Sequence, residues 1–148
     1  MRPLDRRVIK LDVLRVLLVD DEVEFVETLA KRMNKRNVKA SGVNSGEEAL
    51  EFLDQYPTDV VVLDVKMPGI DGIQALREIK LRYPLIEVIM LTGHANVEVA
   101  IQGMELGAFD YLMKPMAIDD LLYKVQDAWK KKTLQEKKIG ERIQVSKV

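Results

Sequence analysis

The sequence has no cysteine and a single histidine. Among its 148 residues, Cys is absent and His94 is the one imidazole. Disulfides, thiolate catalysis and cysteine zinc sites are therefore excluded, and a histidine-rich metal site or a Ser-His-Asp triad is not expected. No apolar run approaches the roughly 20 residues that span a bilayer, and no apolar stretch of signal-peptide type follows the basic N-terminal residues. The sequence predicts a cytoplasmic protein without a membrane segment.

Aromatic residues are also few, at 5%, but 47% of the residues are hydrophobic and 32% are charged, as in ordinary globular proteins. The charge is uneven. Residues 13–129 carry 12 basic and 20 acidic side chains, whereas residues 130–148 carry seven basic and two acidic ones. We expect a lead-in over 1–12, one domain over 13–130 and a basic tail or linker over 131–148. Gly140 is expected to interrupt any helix in that tail. A solvated end is favoured over a nucleic-acid contact.

Apolar runs alternate with amphipathic segments along the domain. Strict alternation of strands and helices implies a parallel sheet with right-handed crossovers and helices on both faces. The predicted fold is therefore α/β, a doubly wound five-stranded parallel sheet flanked by five helices. Strands are predicted over 13–19, 38–43, 60–63, 85–91 and 108–113, and helices over 22–36, 45–56, 73–83, 96–106 and 117–130.

Polar residues follow four of the predicted strands. Asp20 and Asp21 follow the first, Asp64 the third, Thr92 the fourth and Lys114 the fifth. Because ligands of open α/β sheets bind at the carboxyl edge, these side chains are expected to share a pocket. When carboxylates lie so close together, either the pKa of one of them rises or a cation binds to them. A site made only of oxygen ligands suits Mg²⁺. The lysine and the threonine hydroxyl suit an anion with several oxygens, such as phosphate.

This set, in this order, resembles the receiver domain of bacterial two-component response regulators, most closely those of the transcription-activator kind. The resemblance covers about residues 14–130 and implies the CheY-like strand order 2-1-3-4-5. The phrases that carry it are Leu17-Leu18-Val19-Asp20-Asp21-Glu22, Asp64-Val65-Lys66-Met67-Pro68-Gly69-Ile70-Asp71-Gly72 and Gly107-Ala108-Phe109-Asp110-Tyr111-Leu112-Met113-Lys114-Pro115.

The resemblance implies a role for each matching residue of the acceptor and metal site. Asp64 would be the phosphoacceptor, receiving a phosphoryl group from a donor histidine of a sensor kinase or phosphotransfer protein. Asp21 and Asp64 would bind Mg²⁺ directly, Asp20 through water, and the backbone carbonyl of Lys66 would complete the protein ligands. Lys114 would contact a phosphoryl oxygen.

The resemblance also implies a readout of phosphorylation. Thr92 would hydrogen-bond the acyl phosphate, and Tyr111 would turn inward as Thr92 moves. The surface of helix 96–106, strand 108–113 and helix 117–130 would change and control an output, with homodimerisation as one possible response. The domain itself would bind neither nucleic acid nor membrane, and its catalysis would be limited to its own phosphorylation and dephosphorylation. Pro115 would follow a cis peptide.

Simpler interpretations stand beside these roles. Asp20 and Asp21 can cap the first helix, since aspartates accept hydrogen bonds from free N–H groups there. Tyr111 can be a half-buried strand residue. A Mg²⁺-dependent phosphohydrolase using an aspartyl phosphate is an alternative, although Lys66 stands where such enzymes tend to carry a second acid. A pseudo-receiver that binds partners without phosphorylation is the other alternative.

Two residues that border the expected pocket vary within such sites. Lys66 lies two residues after Asp64, and His94 lies two residues after Thr92. Either can affect the access of the hydrolytic water, so their alanine variants are expected to change the lifetime of the acyl phosphate. A solvent-exposed loop histidine without a role is the competing interpretation of His94.

Overall fold

The computed structural model describes residues 13–65, 71–93 and 97–147, with side chains up to residue 143. The fold is a parallel five-stranded sheet in the order β2-β1-β3-β4-β5, so the predicted class and strand order are confirmed. The strands are β1 (Arg15–Val19), β2 (Lys39–Val43), β3 (Val60–Leu63), β4 (Glu87–Thr92) and β5 (Asp110–Met113). The helices are α1 (Val23–Asn34), α2 (Gly46–Gln55), α3 (Gly72–Arg82), α4 (Val97–Glu105) and α5 (Ile118–Lys147).

The central strand β3 is buried on both faces. Val60 and Val62 pack into a cluster with residues of α1 and α5. Val61 and Leu63 point to the opposite face and pack against α2 and α3. A strand covered by helices on both sides must be apolar throughout, which explains the unbroken run of four apolar residues.

Backbone hydrogen bonds continue past the strand ends that carry the polar residues. The Asp64 amide donates to the Val19 carbonyl at 2.9 Å, and the Lys114 amide donates to the Thr92 carbonyl at 2.8 Å. Asp64 and Lys114 are therefore each held by the neighbouring strand, although both lie beyond the end of their own strand. Parallel pairing places these ends on one edge of the sheet.

Helix α5 differs from its predicted extent. The sequence predicts an end near residue 130 and an interruption at Gly140, whereas the helix runs without a break from Ile118 to Lys147. Both predictions were wrong. A helical glycine costs only about 1 kcal/mol relative to alanine, and its neighbours Lys, Glu and Arg are good helix formers. Among the described residues, no helix combines the length and apolar character needed to cross a bilayer.

Two ion pairs fasten the continuation of α5 to the amino edge of the sheet. The Lys131 Nζ lies 2.9 Å from the Glu87 Oε2, and the Lys132 Nζ lies 3.1 Å from the Asp59 Oδ1. Glu87 is 1% exposed and also receives the Lys80 ammonium at 3.1 Å. A buried carboxylate needs such partners, because an unpaired one loses hydration without compensation.

Replacing both anchoring lysines should loosen the continuation of α5. In Lys131→Gln/Lys132→Gln, we expect faster amide hydrogen exchange over residues 133–143 with little change in the strands, because the continuation of the helix loses these two ion pairs with the sheet. Lys130→Gln/Lys138→Gln removes the same charge from exposed positions of this helix and is the control. Equal exchange in the two double variants would show that the ion pairs do not hold the helix.

The ion pairs of Lys132 should persist at neutral pH. Burial lowers the pKa of Lys132, but hydrogen bonds and charges from Glu136 and Asp59 outweigh it, so the pKa lies above the usual 10.5. A lysine whose pKa is higher in the folded state than in the unfolded state stabilises the fold when it is protonated. This stabilisation is fully present at pH values below the pKa of the unfolded state, and it is lost as the pH rises through the pKa of the folded state.

Candidate functional site

Three carboxylates converge at the carboxyl edge of the sheet. Asp20 and Asp21 follow β1 and Asp64 follows β3, and one oxygen from each lies within 4.8 Å of the others. Asp20 and Asp64 are 3% and 7% exposed, whereas Asp21 is exposed. Hard divalent cations prefer such all-oxygen sites, so the residues present fit a metal of this type.

Asp20 is held on several sides. Its Oδ1 accepts a hydrogen bond from the Glu22 amide at 3.0 Å, and its carbonyl accepts one from the Asn44 side-chain amide at 3.0 Å. Glu22, not Asp20 or Asp21, is the N-cap of α1, and it makes no side-chain cap hydrogen bond. The capping interpretation thus accounts for one contact of Asp20, within the turn before the helix, and leaves the cluster with Asp21 and Asp64 unexplained.

Lys114 brings a positive charge to this cluster. Its Nζ lies 2.5 Å from the Asp20 Oδ2 and 3.7 Å from the Glu22 Oε1, and it stands 4.3 Å above the centre of the Phe25 ring. Burial lowers the pKa of Lys114, but the hydrogen bond and charge of Asp20, with the charges of Asp64 and Glu22, raise it above the ordinary value. The side chain is therefore an ammonium ion at neutral pH.

Thr92 and Tyr111 lie on the two neighbouring strands β4 and β5. Thr92 ends β4 and is 6% exposed, whereas Tyr111 is 39% exposed and pairs in register with Met90. Tyr111 therefore lies at the surface and does not point into the core. The peptide between Lys114 and Pro115 is cis, as the resemblance implied.

Two residues singled out in the sequence, Lys66 and His94, lie outside the described residues. Gly72, which the sequence comparison above includes only as the last residue of the phrase that begins at Asp64, also lies at the site. Gly72 begins α3, and its amide donates at 3.1 Å to the carbonyl of Val65, the residue directly after Asp64. The Asp-Gly dipeptide was the only signal of this contact. A dipeptide predicts a turn but not what the backbone approaches.

Comparison with known proteins identifies the class to which this fold and site belong. The family described as response regulator receiver domain matches residues 16–126. The chain belongs to this family, as its resemblance implied. The receiver domain from Clostridium thermocellum has 34% identity and a TM-score of 0.79, over 83% of this chain and 99% of that one.

Transcription regulators are among the similar proteins. The DNA-binding transcriptional regulator NtrC of Klebsiella pneumoniae is 35% identical over 111 residues, which are 75% of this chain and 24% of that protein. The regulatory protein AtoC of Escherichia coli is 37% identical over 114 residues, which are 77% of this chain and 25% of AtoC. NtrX from Brucella abortus, a solved structure, has 28% identity and a TM-score of 0.79 over 84% of this chain and 28% of that one. The chain thus spans about a quarter of the length of these relatives.

Proposed function

We propose that this domain is a phosphorylation-dependent switch in which Asp64 accepts a phosphoryl group from a histidine kinase. The observation that carries the proposal is the position of Asp64. It is a buried carboxylate at the carboxyl edge, within a cluster of three carboxylates and beside a fixed lysine ammonium. Such a group can act as a nucleophile when an adjacent positive charge offsets the charge of an incoming phosphoryl group.

In the proposed transfer, a carboxylate oxygen of Asp64 attacks phosphorus and the phosphorus–nitrogen bond to the donor histidine breaks. The imidazole leaves with the electron pair. Lys114, held by Asp20 at 2.5 Å, offers its ammonium to a phosphoryl oxygen without needing to be ordered first.

Asp21 and Asp64 are proposed as direct Mg²⁺ ligands, Asp20 as a ligand through water and the Lys66 carbonyl as the remaining protein ligand. When bound, Mg²⁺ neutralises the crowded carboxylates and polarises phosphoryl oxygens. The exposed position of Asp21 leaves its carboxylate accessible to a hydrated ion, whereas Asp20 is occupied by Lys114 and the Glu22 amide. This difference supports the assignment of Asp21 as the direct ligand.

The output is proposed to be read on the face formed by α4, β5 and α5. Thr92 would contact the new phosphoryl group, and its movement would open space for the Tyr111 ring. These three elements carry large apolar side chains that are 39% to 71% exposed, namely Val97, Ile101, Met104, Tyr111 and Tyr123. Exposed apolar surface of this kind suits a partner or a second copy of the domain. Because NtrC, one of the relatives named above, is a DNA-binding transcriptional regulator, control of transcription is the proposed downstream output.

The direct test is incubation of the protein with acetyl phosphate, with and without Mg²⁺. We expect the mass to increase by one phosphoryl group per chain only when Mg²⁺ is present. On addition of beryllofluoride, amide chemical shifts should change at the site and across α4, β5 and α5, and the mass in solution should report any dimer. Retention of the unmodified mass under all conditions would refute the proposed function.

The same experiment distinguishes the proposed switch from the two alternatives, a phosphohydrolase and a pseudo-receiver. A phosphohydrolase would release phosphate from many small phosphate esters with multiple turnovers, whereas a receiver should be modified once and lose the group slowly. A pseudo-receiver would respond to neither acetyl phosphate nor beryllofluoride. The pairing of Lys114 with Asp20 beside Asp64 favours a site able to hold the phosphoryl group.

A further inference from the structure

Gly72 lies against the peptide that follows the proposed acceptor. A β-carbon at position 72 would stand 2.2 Å from the Val65 Cα, 2.4 Å from the Asp64 carbonyl oxygen and 2.7 Å from the Val65 carbonyl carbon. All three are backbone atoms, so no side-chain rotation can make room. Ordinary contacts of a β-carbon begin near 3.4 Å. The first turn of α3 and the Asp64–Val65 peptide would therefore have to separate by at least about 1 Å.

The need for glycine here comes from space and not from backbone conformation. Gly72 is the first residue of α3 and does not have a positive φ, whereas Gly107 does, at +104°. Any residue could adopt the helical backbone of Gly72. What a larger residue could not do is keep the first turn of α3 in contact with the end of β3.

A hydrogen bond and two buried side chains hold α3 in this position, and a cap orders its first turn. The Gly72 amide donates to the Val65 carbonyl at 3.1 Å, and the Asp71 carboxylate accepts from the Gln74 amide at 2.8 Å, which caps the helix. Ala75 and Leu76, in the next turn, are fully buried. The helix therefore cannot move outward freely, and the strain of a larger residue would fall on the Asp64–Val65 peptide.

We propose that Gly72 is a positioning residue for phosphoryl transfer: it lets α3 pack directly on the acceptor's own peptide and so sets the place of the Asp64 carboxylate. This inference rests on the proposed role of Asp64. A misplacement of about 1 Å at a reacting group can cost about 100-fold in rate. The contact also joins the two ends of the segment between Val65 and Gly72.

The test compares Gly72→Ala with Gly42→Ala. A β-carbon at Gly42 would stand equally close, 2.1 Å, to a neighbour, but that neighbour is the Val26 side-chain Cγ1. Both variants should lower the unfolding temperature. We expect only Gly72→Ala to shift the amide resonances of Asp64 and Val65 strongly without metal or phosphoryl donor. Its maximum rate of labelling by acetyl phosphate should fall about 10- to 100-fold, with a smaller change in half-saturating concentration.

Several outcomes would overturn the inference. Normal Asp64 and Val65 resonances with normal labelling in folded Gly72→Ala would do so, as would equal loss of rate in both variants. If Gly72→Ala folds only in a stabilising osmolyte, the comparison is made there for all three proteins. Hydrogen exchange of the wild-type Gly72 amide gives an independent measurement, because exchange as fast as in an open loop contradicts the contact. Failure of wild type to be labelled would refute the acceptor proposal, while the resonance and exchange data would still test the packing.

Discussion

Asp64→Asn should abolish incorporation of a phosphoryl group from acetyl phosphate. The amide nitrogen and carbonyl of asparagine are poor nucleophiles, while the side chain keeps nearly the same size at a site that is 7% exposed. Removing the nucleophile of a covalent enzyme can cost about 10⁶-fold, so labelling is expected to fall below detection. Intact-protein mass spectrometry after incubation with acetyl phosphate and Mg²⁺ measures it.

Asp71→Asn is the matched control. Asp71 is an exposed aspartate close to the site, and its carboxylate caps α3 by accepting from the Gln74 amide. Asparagine caps helices about as well as aspartate, so this variant should fold and be labelled like wild type. A full phosphoryl gain in Asp64→Asn would show that another residue is the acceptor. Loss in both variants would point to a general effect of charge removal.

Asp21→Asn should uncouple stability from Mg²⁺. In wild type, a ligand that binds only the folded state stabilises it, by about 2.7 kcal/mol at 100 times the dissociation constant. Loss of even outer-shell partners weakens metal binding by about 10- to 100-fold, and loss of a direct ligand should cost at least as much. We therefore expect Mg²⁺ to raise the unfolding temperature of wild type far more than that of Asp21→Asn.

Without Mg²⁺, Asp21→Asn should instead have a higher unfolding temperature than wild type. Three carboxylates with oxygens within 4.8 Å of one another repel, so removing one charge should raise the unfolding temperature in a chelator. Asp21 is exposed, and its replacement opens no cavity. Glu24→Gln, which removes an acidic charge from the first turn of α1 outside the cluster, is the control and should show neither effect. An Mg²⁺ response in Asp21→Asn equal to that of wild type would remove Asp21 from the ligand set.

Much of the fold is readable from local patterns because each pattern has one physical cause. The apolar run Val60–Leu63 must be covered on both faces, which requires a parallel sheet between helix layers. Ser45 caps α2 by accepting from the Glu48 amide at 3.1 Å, as its position three residues before Glu48 predicts. Such signals lie within a few residues of the structures they specify.

The extent of α5 was not readable in this way. Lys131 and Lys132, at the start of its continuation, pair with Glu87 and Asp59, which are far from them in the sequence and meet them only in the folded protein. The sequence prediction of a break rested on Gly140 alone, whereas the helix continues through it. Ion pairs between distant segments leave no periodic signal in a single sequence.

The sequence by itself determined the sheet, its strand order through the resemblance, and the polar residues at the strand ends. Alternation of strands and helices sends every strand in one direction, and that brings Asp20, Asp21 and Asp64 to one edge. Only the tertiary structure decided that Lys114 pairs with Asp20 at 2.5 Å and that α3 touches the acceptor peptide at Gly72. Such distances depend on how whole elements pack, because a shift of about 1 Å between a helix and a strand changes them without altering any local pattern.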